Sequence, residues 1–477
     1  MRFLPVFVLL LFTTPLSGQS AESEKGFQRL TAALHVHSRF SNGEHEIVEL
    51  AAHAHEKKID VLGISDSFLT RARYGVGPFK KLMSRTMARP SVMDRGIDEY
   101  FQSLEQTQQQ FSDVVILPGF EVAPYYYWEG RWPGTLALHD FDRHILVFGL
   151  RDRNAARNLP VIENATWSNS ERSLARLAGP MIVILLALGL LSRAGKAARI
   201  AGAFILVVGC AWTYDAYPYA NLPTPYSDKT DDQAFQRVID YAAAHGALTF
   251  WSYPEARIPD ITVTGSPARM ASRPEPEILK RFDNYRGFEG IYGHNITITK
   301  PGNLWDDLLK DYLQNVRKTW PSVITGIDFQ TFKPANGWYQ LDHGITVLFA
   351  KEKSESAVME ALKAGRGYSS FQERPDRPIN LEDFALRSNG SVAISGESVQ
   401  AAPNVEFTAR VDGPSEAKAQ ISVIRDGTLL ERVDAALPAV IKRSDTLNAG
   451  RHYYRLMVNA GATQILSNPI FCEVNQQ

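Results

Sequence analysis

Residues 33–38 read Ala-Leu-His-Val-His-Ser, and the alternation inside that short run decides how the rest of the chain is read. Leu34 and Val36 are apolar, so the run has the pattern of a buried strand. In a strand, residues two apart point to the same side. His35 and His37 therefore project together from a strand end. Two imidazoles so placed are half of a site for zinc, iron or a similar ion, and the other reading is a pair of surface histidines. Carboxylates and further histidines at later strand ends would decide between them.

They recur. Residues 59–66 (IDVLGISD) form an apolar run that ends on Asp66, and residues 114–121 (VVILPGFE) form another that ends on Glu121. His144 precedes ILVFG at 145–149, and VITGID at 323–328 ends on Asp328. Between these runs lie segments of helical period, such as 46–57, 96–112 and 234–245. Alternating strand and helix predicts a mostly parallel α/β domain of the barrel kind, with its chemistry at the strand ends. On the 46–57 helix, His45, His53 and His55 are expected to be solvated. His139 is expected to be exposed, and His294 and His343 to be structural. Asp140 or Asp142 is a candidate to orient His144 from behind.

A chain of 477 residues with 44% hydrophobic content is long enough for two or three domains. The net charge of −1 gives no bulk basic field for nucleic acid. Its two cysteines, Cys210 and Cys472, offer no Cys-rich zinc site.

Residues 1–21 carry one positive charge, an apolar core and small residues, which predicts a cleaved export signal. Residues 177–192 and 200–213 are two uncharged apolar runs separated by RAGKAAR. Each is shorter than the ~20 residues of a comfortable span, but flanking Arg, Trp and Tyr can extend both. The basic connection fits the positive-inside rule if the rest lies outside the cytoplasm. A transmembrane hairpin over 174–217 is the expectation, with a buried helical pair as the other reading.

The order of the pieces resembles a known family. HVHSRFSNG (35–43), SD (65–66), PGFE (118–121), His144, SYPE (252–255), GIDFQ (326–330) and SAVMEALKAGRGYSSF (356–371) together resemble the polymerase and histidinol phosphatase (PHP) superfamily, with its CehA/McbA-like branch the nearest in look. The resemblance implies a distorted (β/α)7 barrel over 28–372, interrupted by the hairpin. It also implies a metal-dependent hydrolase that attacks phosphoester, carbamate or amide bonds through metal-bound hydroxide. Carried over residue by residue, one metal position is complete: His35, His37, Glu121 and Asp328. A second keeps Glu121 and His144, but Tyr253 stands where the family has histidine. Ser67 and Gln330 likewise replace family histidines. The resemblance thus implies one divalent ion (Zn, Mn or Fe) and a weak second, with Asp66 and Asp328 as catalytic carboxylates. The alternative is a degenerate, noncatalytic module that binds a ligand or partner. Glu255 is a candidate to help a second ion.

From residue 378 the composition shifts to short alternating strands, as at Val405, Phe407, Ala409 and Val411, which predicts a β-sandwich over 380–477. The expected partners are a small-molecule substrate and a membrane, not nucleic acid. The expected location is the bacterial inner membrane, with the barrel in the periplasm or another extracytoplasmic space.

Overall fold

The structure is a computed structural model and describes residues 20–132, 134–164, 175–217, 224–226, 229–256, 258–262, 268–292, 296–333 and 340–475. Residues 1–19, which hold nearly all of the expected export signal, lie outside the described residues, as do Trp167 and Tyr219 beside the two apolar runs, and His294.

Seven strands carry the first part of the chain: β1 (Gln28–Val36), β2 (Val61–Ile64), β3 (Val115–Val122), β4 (Ile145–Phe148), β5 (Leu248–Trp251), β6 (Gly287–Ile291) and β7 (Ser322–Thr325). They lie side by side in that chain order in a curled sheet, and β8 (Gly344–Ala350) and β9 (Gly367–Phe371) follow beyond β1. Every residue of β2, β3, β4, β6 and β7 is buried, as expected for strands covered on both faces. The sheet is mixed where a mostly parallel one was expected. β1, β2 and β3 run parallel, as do β5, β6 and β7, but β4 is antiparallel to both of its neighbours. No crossover helix separates β3 from β4; two short strands, Tyr127–Gly130 and Leu136–His139, do. A return without a crossover leaves the next strand antiparallel.

The two ends of the curl meet. The Phe329 N–H donates to the His35 carbonyl (3.0 Å) and the His37 N–H to the Phe329 carbonyl (2.9 Å). The Thr325 N–H also donates to Thr346 Oγ1 on β8 at 2.9 Å.

Helices cover the outside by ordinary amphipathic logic. In α1 (Ile47–Glu56), Ile47, Leu50, Ala51 and Ala54 are buried, and Glu46 and Glu49 form a reciprocal capping box at its start. In α2 (Ile97–Gln110), Ile97, Tyr100, Phe101 and Leu104 face inward. His45 and His53 are not solvated as expected: both rings pack on Phe332, and the Phe332 N–H donates to His45 Nε2. His55 is exposed beside Asp113.

α3 (Ala175–Leu191) and α4 (Lys196–Ala216) pair with each other and turn apolar side chains outward. Ile182, Leu185, Leu186, Ile200, Phe204 and Val207 are all at least 58% exposed. A pair buried in a soluble core would not leave these side chains uncovered. Of the described helices, α4 alone is long and apolar enough to cross a membrane; α3 has 17 residues. Gly202 and Gly209 set the contact between them. A Cβ at Gly209 would lie 2.7 Å from Ile184 Cγ1, and one at Gly202 would lie 2.9 Å from the Ala187 carbonyl oxygen. These glycines are used within the pair.

Beyond residue 380 the chain is all strand. Asn380–Ser388, Ser391–Ile394, Asn404–Asp412 and Ala439–Thr446 form one four-stranded sheet, with Val405, Phe407, Ala409 and Val411 buried. The other strands continue the main sheet, because Thr463–Ser467 pairs with β9. A second tie runs through α6 (Leu304–Leu313), which comes after α5 (Asp232–Ala244) in the chain. Arg455 donates two hydrogen bonds to Asp306 (2.7 and 2.6 Å), the Tyr453 hydroxyl a third (2.8 Å), and both charged side chains are fully buried. Removing one partner leaves the other charge stranded. Asp306→Ala is expected to cost about 3–5 kcal/mol in urea unfolding, whereas Asp307→Ala, on the exposed side of α6, should be near neutral.

Candidate metal centre

The centre is built at the ends of β1, β3, β7 and the segment entering β4. His35 and His37 are completely buried. His37 Nε2 lies 3.1 Å from Asp328 Oδ1, and His35 Nε2 lies 4.0 Å from the same oxygen. Glu121 lies between the rings, with Oε1 3.2 Å from His35 Nε2 and Oε2 3.7 Å from His37 Nε2. His144 reaches Glu121 from the far side, Nδ1 to Oε1, at 2.6 Å. The ligand atoms of His35, His37 and Asp328 all fall within 4.8 Å of one another. All five side chains proposed as ligands therefore meet at one place.

Whether a cation fits can be judged from the two imidazoles. Their Nε2 atoms are buried and make no well-directed hydrogen bond among the described residues, although carboxylate oxygens face both. Two nitrogens and two carboxylates aimed inward are a donor set for zinc, manganese or iron. Backbone strain marks the same spot. His35 (φ +64°), Tyr253 (+48°) and Asp328 (+48°) are all left-handed without being glycine, a conformation that persists only where surroundings impose it.

The outer ring of partners was only partly legible. Glu289, in the middle of β6, is fully buried and was not foreseen as a site residue. It accepts from His35 Nδ1 at 2.6 Å and from the Tyr253 N–H at 3.2 Å. That makes a carboxylate–histidine pair of the kind that fixes a ligand's tautomer and orientation. The available signal was a carboxylate inside an apolar strand between two glycines (Gly287-Phe288-Glu289-Gly290). Gly326 makes the room: a Cβ there would lie 1.6 Å from Glu289 Oε1.

Asp66, proposed as catalytic, sits behind the ligands. It accepts from the Ser38 N–H (2.7 Å), Ser38 Oγ (2.6 Å) and Ser41 Oγ (2.5 Å), and Ser41 Oγ also contacts His37 Nδ1 at 3.1 Å. Asp66 thus holds the turn that aims His37. Neither Asp140 nor Asp142 orients His144. The Phe141 carbonyl lies 3.2 Å from its Nε2, while Asp140 pairs with Arg143 and Asp142 with Arg89. Glu255 is taken up by the backbone N–H groups of Thr297 and Ile298. His139 is buried, stacked on Tyr127 and bonded to Glu129, contrary to the expected exposure.

Ser67, Tyr253 and Gln330 all touch the centre. Ser67 Oγ donates to Glu121 Oε2 (3.2 Å), Gln330 Nε2 to Asp328 Oδ1 (2.8 Å), and the Tyr253 hydroxyl lies 3.2 Å from His35 Nδ1.

The electrostatics are reciprocal. Burial works against charge on Glu121, yet His144, His35 and His37 outweigh it and hold its carboxyl well below the usual range. Burial likewise disfavours charged His35, but Glu289 and Glu121 push its imidazole well above the ordinary value. His37 and His144 are raised by Asp328 and Glu121, and Asp328 is lowered chiefly by His37, in each case against burial. Protons on these rings supply the positive charge that a bound cation would supply instead.

No family model matches this chain, and no curated protein matches it. Among solved structures it is similar to a two-domain protein from Bacteroides vulgatus described as containing a predicted PHP-like metal-dependent phosphoesterase, at 12% identity and TM-score 0.38, over 92% of each chain. It is also similar to an engineered protein at 13% identity and TM-score 0.15, over 40% of each chain. Likenesses that distant carry no weight for function, and the geometry above stands by itself.

Two outcomes are expected. Glu289→Gln and Gly326→Ala should each weaken divalent-metal affinity by about 10–100-fold in chelator competition, because both release His35. The raised imidazoles stabilise the metal-free fold below the usual histidine value, and that contribution is lost as pH rises through their folded values. The lowered carboxylates stabilise it above the usual carboxylate range and lose that contribution as pH falls. Metal-free protein should therefore melt highest at mildly acidic pH, and added metal should move the maximum upward, since ligation requires neutral imidazole.

Proposed function

We propose that this chain is a metal-dependent hydrolase of the PHP type, held at a membrane by the α3–α4 hairpin. The observation that carries the reading is the convergence of His35, His37, Glu121 and Asp328 at strand ends, with neither inward Nε2 atom hydrogen-bonded among the described residues. The seven-strand curl and the order of the motifs support the superfamily, and the CehA/McbA-like branch is the finer proposal. A divalent ion held there would polarise a phosphoryl or acyl oxygen and lower the pKa of water.

The chain's own groups suit hydrolysis. The Asp328 side chain is 37% exposed and so is the ligand that incoming substrate meets first. The Tyr253 hydroxyl is kept protonated by burial and by the Asp328, Glu289 and Glu121 carboxylates, so at neutral pH it is a proton donor. His144 and Glu121 hold a second proton between them. Phosphoesters, carbamates and amides all present the oxygen such a site acts on, and one ion with a weak second fits this ligand set.

The uncovered apolar faces of α3 and α4 support the membrane anchor. The basic Arg193–Arg199 turn between them supports an extracytoplasmic barrel, in a bacterial inner membrane.

A second reading has its own observation: Ser67 and Gln330 place neutral donors on Glu121 and Asp328, and the Tyr253 hydroxyl stands against the outer nitrogen of His35. Such a centre can bind a ligand or partner without turning it over.

Elemental analysis of the purified chain should find about one tightly held ion, lost in His35→Ala. Asp328→Ala should lower hydrolysis of p-nitrophenyl phosphoesters or a carbamate by roughly 100-fold or more. Metal with no turnover would favour the binding module, and no metal at any pH would sink both the hydrolase and its ion.

A further inference from the structure

Two strand excursions leave the same end of the sheet as the ligands. One follows Asp66 and Ser67 and forms the hairpin Arg71–Gly75 and Ser84–Ala88, whose tip is residues 76–83. The other follows Glu121 and forms Tyr127–Gly130 and Leu136–His139, which lead back toward His144. Their tips expose apolar side chains that no described residue covers: Leu82 (52%), Met83 (55%) and Trp132 (60%). Beside them stand Lys80, Lys81 and Arg131.

The tips are tied together and to the end of α4. The Trp132 N–H donates to the Tyr74 hydroxyl (3.0 Å), and the Gly75 N–H donates to the Tyr226 hydroxyl (2.8 Å), over whose ring Lys80 Nζ sits at 3.8 Å. The Lys81 N–H donates to Asp215 Oδ1 at 2.6 Å, one residue before α4 ends at Ala216. Trp212, Tyr214 and Tyr217, all exposed, flank that end, where aromatic side chains mark a membrane interface. If α4 spans, the tip lies at the level where it leaves the bilayer.

Resting on the membrane reading above, we propose that the 76–83 tip and Trp132 form a second membrane contact. Leu82, Met83 and Trp132 enter the outer headgroup layer, and Lys80, Lys81 and Arg131 meet anionic lipid phosphates. Small apolar plugs rimmed by cations bind this way, through buried area plus attraction to anionic lipid. The contact turns the ligand-bearing end of the sheet toward the headgroups and fixes the tilt that a lone hairpin leaves free.

The full chain, with Cys210 and Cys472 replaced by serine, would carry a single environment-sensitive fluorophore at Leu82→Cys, Ile200→Cys or Val440→Cys. It would be reconstituted in phosphatidylcholine vesicles with or without phosphatidylglycerol, containing lipid spin-labelled near the headgroup or deep in the chain. The label at 82 should lose most of its fluorescence to the shallow quencher, and more so with phosphatidylglycerol. The label at 200 should be quenched by the lipid, and that at 440, exposed on the C-terminal sheet, by neither. Quenching at 200 without quenching at 82 would overturn the second contact and leave the anchor standing. Quenching at neither would overturn the anchor itself. A Lys80→Glu/Lys81→Glu variant should lose the phosphatidylglycerol dependence at 82 while its label at 200 is unchanged; dependence that persists would remove the cations from the contact.

Discussion

Two backbone hydrogen bonds hold the centre in being: those that Phe329 exchanges with His35 and His37. They join the last strand of the curl to the first, and everything chemical follows from that closure. Asp328 is the residue before Phe329, so the bonds that close the sheet also carry its carboxylate to the two imidazoles. The left-handed turns at His35 and Asp328 let adjacent residues serve backbone pairing and the candidate metal centre at once. Glu121 and Glu289 then come in from strands whose register is set by the same sheet.

Charge is arranged around this closure with little slack. Glu121 and Asp328 face the imidazoles of His35, His37 and His144, and Glu289 stands behind His35. His35, His37, Glu121 and Glu289 are buried, and His144 and Asp328 partly so, and each buried group depends on a neighbour of opposite sign. The neutral donors Ser67 and Gln330 fill remaining lone pairs on Glu121 and Asp328. A buried polar network is favourable only when satisfied throughout, and this one is satisfied where the chain's own atoms can do it.

The candidate ligands were legible because each stands at or beside one end of an apolar run, and a polar residue there has few structural uses. His35, His37, Glu121, His144 and Asp328 share that position, and the structure brings all five together. Glu289 escaped because it lies inside its strand, where only its flanking glycines set it apart. Asp66 shared the strand-end pattern, yet faces the Ser38–Ser41 turn, a distinction that depends on side-chain direction. The direction of β4 was hidden because its preceding connection carries no helix. His45 and His53 owe their partial burial to Phe332, and His139 its burial to Tyr127, partners distant in sequence or set by a hairpin's register. The alternating strands after residue 380 were plain; their union with the main sheet through β9 is long-range pairing that no local pattern records.

Gly326 and Glu289 are bound to one another in a way that reaches beyond this molecule. The glutamate occupies the space where any other residue at 326 would put its first carbon. A side chain at 326 displaces the carboxylate from its place behind His35, so the two positions constrain one another. Lineages that keep the glutamate should keep the glycine, and a side chain at 326 would be a fossil of a centre already given up.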